Sequence, residues 1–248
     1  MTRRSARLAV FAASALVLAG LLGWGFAGLP HFGDFGGDYG EILNRLAVGQ
    51  RHATNVVAAV VFDYRGFDTL GEEFILFASV MAVALLLREA RDDEAERPRD
   101  RVRSDAVRTV GLAAVAAVVV LGLYVIAHGY ITPGGGFQGG IVCAAGLVLL
   151  YAAGEYRAYR RASPHTLVEL AEGAGAGGYA LLGIGTLLSG SAFLANVVPL
   201  GTIGELPSSG SIAILNGLVG LEVASAFVLL FHEFLEELMD PTSPGGAR

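Results

Sequence analysis

The sequence predicts an all-α integral membrane protein with about six transmembrane helices and a Pro/Gly turn at the outer face between spans 3 and 4. Its 248 residues are 54% hydrophobic and only 16% charged, whereas about a quarter of the residues are charged in an ordinary soluble domain. The apolar segments are about 20 residues long, the length that crosses a bilayer as an α-helix. The predicted spans are 8–29, 69–87, 107–128, 135–153, 167–189 and 211–235.

The first predicted span follows three arginines, Arg3, Arg4 and Arg7. Its apolar stretch is longer than the core of a typical secretory signal peptide, and it lacks a clear cleavage site between small residues. We therefore interpret it as an uncleaved signal anchor, with a cleaved signal peptide as the alternative.

Arginine placement predicts the orientation of the chain, because cytoplasmic loops are enriched in basic residues. Seven arginines lie in segment 88–108 and three follow the fourth span, whereas loop 190–210 contains none. This distribution predicts a multi-pass protein of a bacterial or archaeal plasma membrane with both termini in the cytoplasm.

The segment between the second and third spans, REARDDEAERPRDRVRSDAVR, carries seven acidic as well as seven basic residues. It divides the chain into a two-span part (1–90), a charged cytoplasmic linker (91–106) and a four-span domain (107–248). We interpret its charges as a solvated helix extension and assign no chemistry to them. Because the arginines are balanced by acids, a nucleic-acid partner is not predicted.

The loop 30–67 contains apolar residues at helical spacing in the stretch EILNRLAVGQRHATNVVAAVVFD, residues 41–63. This pattern predicts an amphipathic helix that lies at the outer face of the membrane. A re-entrant segment is the alternative.

The stretch HGYITPGGGFQGG separates the third span from the fourth. Pro133 lacks an amide proton and disfavours helix in the residue before it, so the third span should end near Tyr130 and the fourth should begin near Gly135. Gly136 and Gly140 have the spacing that lets another helix approach closely. The stretch is either a tight interhelical turn with a packing face or a part of a transport path.

Charged residues mark the outer start of the second span; they are Asp63, Arg65, Asp68, Glu72 and Glu73. Thr69 and Glu72 have the spacing of a capping box, and acidic residues suit the positive N-terminus of a helix. Arg65 is predicted to pair with Asp63 or Asp68. These residues therefore either cap the helix or form the entrance of an ion path that attracts cations.

Glu222 lies near the middle of the sixth span, in NGLVGLEVASAF. A carboxylate at this depth costs at least about 2.5 kcal/mol on insertion scales, so it should face a partner or water. It is either a reversible proton carrier or a neutral acid hydrogen-bonded to a neighbour such as Asn216. Glu169 and Glu172 share a helix face near the inner end of the fifth span, and their side chains are expected to extend to the interface.

No enzyme active site is recognisable in the sequence. The single cysteine, Cys143, excludes an internal disulfide and a cysteine-based metal site. All 17 basic residues are arginine, which excludes a Schiff-base lysine and a P-loop. The five histidines share no i, i+4 spacing, so neither a metal site nor a cofactor is predicted.

The stretch GYITPGGGFQGG resembles the signature of the MnhB (also MrpB) component of the Mrp-type multisubunit cation/proton antiporters, and the resemblance covers residues 105–238. Where that family commonly has Gly-His before the Pro-Gly-Gly-Gly-Phe run, this chain has Gly129-Tyr130. The stretch NVVAAVVFDYRGFDTLGEE, residues 55–73, resembles the C-terminal segment of the MrpA component of the same complexes. Related segments also occur in membrane-bound hydrogenases allied to respiratory complex I.

The resemblance implies an accessory membrane subunit of a multisubunit monovalent cation (Na⁺)/proton antiporter, with other antiporter subunits as partners and Na⁺ and H⁺ as the transported ions. The alternatives are a purely structural scaffold protein and a membrane component of a related hydrogenase or complex I-like redox assembly. The predicted ion-path residues are Asp68, Glu72 and Glu222. The predicted turn and packing residues are Pro133, Gly134, Gly135, Gly136, Phe137, Gly139 and Gly140.

Overall fold

A computed structural model describes residues 3–29, 31, 33–34, 36–89 and 104–238. Most of the predicted linker 91–106 lies outside these residues, so its placement stays a prediction. Within the described residues the chain forms α-helices α1 (Arg3–Ala27), α2 (Asp38–Arg51), α3 (Val56–Ala59), α4 (Gly66–Glu89), α5 (Asp105–Ala127), α6 (Gly136–Ala162), α7 (His165–Leu188) and α8 (Ser211–Leu238), and a π-helical turn (Val60–Tyr64) that continues α3.

The chain divides into two compact units, one that ends at Ile42 and one that begins at Leu43. In the first unit, α1 carries a 20-residue apolar segment whose large side chains, such as Leu16 and Trp24, are exposed. A helix that is apolar all round requires burial in protein or lipid. The segment therefore has the character of a membrane span.

The second unit is organised around α8, which packs against α4, α5, α6 and α7. Its first half contributes Ile212, Leu215 and Val219 to one buried cluster, and its second half contributes Ala226 and Leu229 to another. Because α8 is apolar on nearly all sides, it forms the core of this unit and the other helices surround it.

The predicted all-α membrane fold is confirmed. Five helical segments within the described residues are long and apolar enough to cross a membrane: Leu8–Ala27, Gly66–Leu87, Asp105–Ala127, Gly136–Gly154 and Ser211–Leu235. The remaining predicted span, 167–189, coincides with the 24-residue α7. Its apolar character is diluted by Glu169, Glu172 and six glycines, but the helix packs directly against α8.

The prediction of one amphipathic helix across residues 41–63 is wrong. α2 ends at Arg51, and His52 has a positive φ of 53° that breaks the helix. The next helix starts after Asn55, whose side chain accepts a hydrogen bond from the amide of Val57 at 3.1 Å. This second piece packs against α8 because its inner face is small or apolar; the buried residues are Ala58, Ala59 and Phe62.

The predicted capping box at Thr69 and Glu72 is also wrong. α4 begins at Gly66, so Thr69 lies inside the helix rather than in front of it. Its hydroxyl donates to the carbonyl of Val61, in the π-helical turn, at 2.6 Å. The buried threonine thus ties α4 to the preceding turn.

Candidate ion-path site

The turn between α5 and α6 hydrogen-bonds its backbone to two asparagine side chains. The Nδ2 atom of Asn55 donates to the carbonyl of Gly129 at 2.6 Å. On α8, Asn216 accepts a hydrogen bond from the amide of Gly136 at 2.7 Å and donates to the carbonyl of Ile126. Unpaired backbone is costly at membrane depth, so these contacts explain how the chain accommodates a proline and a run of glycines here.

The residues of the predicted motif divide between the turn and the helix that follows it. Gly134 and Gly135 have φ values of 155° and 150°, a region that residues with a Cβ atom rarely adopt. Pro133 is exposed, and Phe137 packs against the buried cluster around α8. The turn therefore requires glycine for its backbone.

Gly136 and Gly140 face α8, whereas Gly139 faces α5. A Cβ atom at Gly136 would lie 2.5 Å from the backbone oxygen of Asn216, and one at Gly140 would lie 2.8 Å from the Cβ of Val223. These glycines let α6 approach both neighbouring helices to backbone contact, as small residues commonly do in membrane bundles.

Tyr130 lies where the resembling family commonly has a histidine. Its ring is buried, and its hydroxyl donates to the carbonyl of Leu206. Burial raises the pKa of the Tyr130 phenol above its ordinary value. The phenol therefore stays protonated at neutral pH and serves as a hydrogen-bond donor between the turn and the loop before α8.

Three glutamates from three helices meet inside the second unit: Glu73 of α4, Glu172 of α7 and Glu222 of α8. Each has 0% of its surface exposed. The carboxyl groups of Glu73 and Glu172 are each close enough to that of Glu222 for their charges to interact. Gly175 permits this packing, since a Cβ atom there would lie 2.6 Å from the Cβ of Glu222. We call these three glutamates the acid triad.

No donor in the described part of the chain reaches the carboxylate oxygens of the acid triad. The nearby Ser225 hydroxyl donates to the backbone carbonyls of Leu221 and Glu222 instead. Burying a carboxylate without a partner is very costly, and carboxylates that share a site cannot all be ionised. The arrangement can therefore hold protons and exchange them between neighbouring carboxyl groups.

Two hydroxyl groups lie between the acid triad and the start of α4. The Tyr179 hydroxyl donates to the carbonyl of Gly66 at 2.9 Å, and the Thr69 hydroxyl donates to the π-helical turn as described above. Both donors are used by backbone carbonyls. These contacts hold α4 against α7 and against its own preceding turn.

The structure places two of the predicted ion-path residues away from the acid triad. Asp68 and Glu72 are exposed on α4. Asp68 pairs with Arg65, one of the two partners predicted for that arginine, while Asp63 pairs with Arg51 at 2.6 Å. A role for Asp68 and Glu72 in an ion path stays a prediction.

Two expectations about the surroundings of Glu222 are wrong. Asn216 does not bind its carboxyl group, because the asparagine side chain is occupied by the turn between α5 and α6. Glu172 does not extend to the interface beside Glu169, because the helix face that carries it turns toward α8 and buries it fully.

Glu73 and Glu172 were not among the residues predicted from the sequence to act in an ion path. A signal for Glu73 exists, because the buried residues of α4 recur at helical spacing; they are Thr69, Leu70, Glu73, Val80 and Ala84. This spacing places Glu73 on the buried face and its neighbour Glu72 outside. This spacing identifies Glu73 as buried only once the face of α4 that packs against the other helices is known.

Comparisons with known proteins agree with this architecture. A domain related to the MnhB subunit of Na⁺/H⁺ antiporters matches residues 106–229, and the MbhE domain of MBH matches residues 15–102. An uncharacterised protein of Methanocaldococcus jannaschii is 31% identical over 213 residues, which cover 74% of this chain and 79% of that protein. A probable A/B component of a K⁺/H⁺ antiporter of Rhizobium meliloti is 29% identical over 205 residues, 71% of this chain and 20% of that protein.

Two solved membrane complexes contain a chain of similar structure. A chain of the archaeal membrane-bound sulfane sulfur reductase superposes with a TM-score of 0.70 at 30% identity, covering 92% of this chain and 98% of its own length. A chain of the Mrp complex from Dietzia sp. superposes with a TM-score of 0.65 at 26% identity, covering 98% of this chain and 27% of its own length. The chain therefore belongs to the family of proteins related to the MnhB subunit of Na⁺/H⁺ antiporters, and it is a membrane component of an antiporter-type complex.

Proposed function

We propose that the chain is an accessory component of a monovalent cation/proton antiporter and that its acid triad carries protons through part of the ion path. The observation that supports this role is the meeting of three fully buried carboxyl groups without a donor in the described residues. A scaffold does not need such a site, because apolar side chains of similar volume stabilise a buried contact equally well or better.

We infer that other antiporter subunits are the partners of this chain. It spans only 20% of the Rhizobium meliloti antiporter protein and 27% of the Mrp chain that it matches, so further subunits would supply the remaining ion path. Its lack of lysine points the same way, because lysine relays are typical of the main antiporter subunits. Na⁺ is the proposed cation, and a plasma membrane with both termini in the cytoplasm is the proposed location.

Asp68 and Glu72 remain in the proposal as residues that attract cations. Both carboxylates are exposed at the predicted outer start of α4, where a partner protein or the outside solution can meet them. Their role is therefore separate from that of the acid triad: they would concentrate a cation, whereas the triad would hold protons.

A second candidate function is that of a membrane component in a redox-driven complex. It is favoured by the similarity to a chain of the sulfane sulfur reductase, of which this chain covers 98%. In such a complex the acid triad would carry protons in the same way, and other subunits would supply the redox chemistry. The chain itself is proposed to have no enzyme activity in either setting.

The test is to replace Glu222 and Glu73 with glutamine, one at a time, in the complex assembled in its host. Glutamine keeps the size and polarity of the side chain but cannot carry a proton. We expect cation-induced collapse of a pH gradient in inside-out vesicles to fall by at least about tenfold, because positioned proton carriers contribute about a hundredfold or more to the rates they serve. Exposed Glu205, in the loop before α8, provides the matched control Glu205→Gln, which should leave exchange unchanged.

Assembly is measured in the same preparations by tagging the chain and identifying the copurified subunits by mass. Lost exchange with intact assembly supports the proposed function. Full exchange in both Glu222→Gln and Glu73→Gln, with intact assembly, would contradict it and leave the scaffold role.

A further inference from the structure

A second group of titratable residues lies where α6 ends and α7 begins, at the opposite end of α6 from the Pro/Gly turn. We call it the histidine cluster; it comprises Tyr159, Ser163, His165, His232 and Glu233. The Nε2 atom of His165 lies 3.1 Å from a carboxylate oxygen of Glu233, and the Nε2 atom of His232 lies 3.1 Å from the hydroxyl of Ser163. The two imidazole rings are stacked with their centroids 5.8 Å apart. Arginine placement predicts that this end faces the cytoplasm.

His165 bridges an exposed carboxylate and a buried one. Its Nδ1 atom lies 3.3 Å from an oxygen of Glu169, whose side chain is 38% exposed, and its Nε2 atom faces Glu233, whose side chain is 0% exposed. The His165 side chain itself is 21% exposed. A neutral imidazole donates from one ring nitrogen, whereas an imidazolium donates from both. Protonation of His165 therefore changes its contacts with the partly exposed Glu169 and with the buried Glu233 at the same time.

Two acidic side chains follow His165 along α7 in the direction of Glu222; they are Glu169 and Glu172. Glu169 and Glu172 are three residues apart, so they lie about one turn apart, on adjoining exposed and buried parts of the helix surface. Glu172 in turn is close enough to both Glu169 and Glu222 for their charges to interact. Exposure decreases along this series, from the partly exposed Glu169 to the fully buried Glu172 and Glu222.

No such series exists along the described face of α8 between Glu233 and Glu222. The residues at helical spacing between them, Ala226 and Leu229, are apolar and fully buried. Glu233 holds the ring of His165 in place. The route to the acid triad therefore follows α7.

We propose that His165 is the proton uptake site of this protein, which exchanges protons with the solution at the predicted cytoplasmic end and passes them through Glu169 to Glu172, the member of the acid triad on α7. Each step moves one proton from an N–H or O–H group to a carboxylate oxygen, directly or across one bridging water. Glu233 and His232 are positioning residues for the ring. This inference rests on the proposed function, because only a chain that transfers protons needs such a site.

Several charged or titratable groups face the histidines from the helices packed around them. Glu169 lies on α7 and Glu233 on α8, and the phenol ring of Tyr159 on α6 lies 4.7 Å from the imidazole ring of His232. The same end of α6 carries Arg160, whose guanidinium lies 5.9 Å from the ring centroid of Tyr156. Among these groups histidine is the one whose charge ordinarily changes near physiological pH.

The test is His165→Gln in the assembled complex, assayed in inside-out vesicles, where the predicted cytoplasmic end faces the bath. Glutamine can still donate to Glu233 but cannot titrate. We expect exchange to fall by at least about tenfold and the pH profile of the remaining rate to differ from that of the wild type, because glutamine cannot take up a proton. The matched control is His128→Gln, because His128 is also partly exposed but lies at the other end of the bundle, stacked on Tyr124.

The outcomes separate this inference from the proposed function. Wild-type rate and pH profile in His165→Gln, with exchange lost in Glu222→Gln, would overturn the uptake site and leave the acid triad in place. A lower rate with an unchanged pH profile would assign His165 a structural role and overturn the inference as well. Full exchange in both variants would overturn the proposed function itself. If His165→Gln does not assemble, His165→Asn is assayed against the same criteria.

Discussion

The two sides of α8 bury polar groups in different ways. On the side that faces α5 and α6, both ends of the Asn216 side-chain amide are hydrogen-bonded: its oxygen accepts from Gly136 and its nitrogen donates to Ile126. On the side that faces α4 and α7, the carboxyl group of Glu222 meets two further carboxyl groups and no donor in the described residues. One side is closed by glycine packing and hydrogen bonds, and the other retains groups whose hydrogen-bonding capacity is unused.

This difference distinguishes buried polar side chains that stabilise the fold from those that serve a function, within one helix. A buried polar group that serves the fold is expected to be hydrogen-bonded, because an unpaired one costs stability. Buried carboxyl groups that persist without partners in a membrane bundle instead mark ion or proton pathways. The comparison therefore predicts that substitutions on the α5/α6 side reduce stability, whereas those on the α4/α7 side reduce exchange.

The largest expected effect on stability follows Gly136→Ala. The added methyl group would lie 2.5 Å from the backbone oxygen of Asn216 and 2.8 Å from the backbone nitrogen of Gly220, so α6 and α8 must separate. Overpacking of this kind costs up to about 3 kcal/mol. The measurement is the midpoint of thermal unfolding of the chain in mild detergent.

The control for this substitution is Gly173→Ala, at a helical glycine with open space where its Cβ atom would be. That change should be neutral or should stabilise the chain by about 0.5–1 kcal/mol, since alanine is the better helix former. Equal midpoints for Gly136→Ala and the wild type would show that the contact between α6 and α8 is looser than described.

The second prediction compares one substitution from each side of α8. Asn216→Leu leaves the amide of Gly136 unpaired and removes one of the two hydrogen bonds to the carbonyl of Ile126, which should cost about 2 kcal/mol. Glu222→Leu removes a buried carboxyl group that has no donor in the described residues, so stability should be unchanged or higher while exchange is lost. Both are measured by thermal unfolding and by the vesicle assay. A destabilised Glu222→Leu chain would mean that the acid triad contributes to folding.

The sequence was sufficient for the helical fold but not for the full site. Apolar length located the five helical segments that are long and apolar enough to cross a membrane within the described residues, because lipid requires a long apolar helix whatever its neighbours are. Glu222 was identified by its depth, and the Pro/Gly stretch by its backbone requirements. Glu73 and Glu172 were not identified, because their burial depends on which face of α4 and α7 turns toward α8. That choice is made by tertiary contacts such as the close approach at Gly175.

The helix break after Arg51 shows the same limitation at the level of secondary structure. Residues 41–63 carry apolar side chains at helical spacing, so a single amphipathic helix was the natural prediction. In the structure, the second half of the stretch instead packs against α8, and Asn55 bonds the turn between α5 and α6 through Gly129. The helix ends before the positive φ of His52, and a contact 74 residues away along the chain holds the segment that follows.

The smallest expected effect tests whether a buried polar group with a partner is structural even when it lies beside the acid triad. Tyr179→Phe removes the hydroxyl that donates to the carbonyl of Gly66 at 2.9 Å, which should cost about 1 kcal/mol and leave the exchange rate at the wild-type level. The control is Tyr124→Phe, because Tyr124 is 51% exposed and its substitution should change stability by less than about 0.5 kcal/mol. If Tyr179→Phe lost exchange at wild-type stability, a fully bonded hydroxyl would be taking part in transport. The presence or absence of a hydrogen-bond partner would then no longer distinguish the two sides of α8. The ion path would have to extend along α7 beyond the three carboxyl groups of the acid triad.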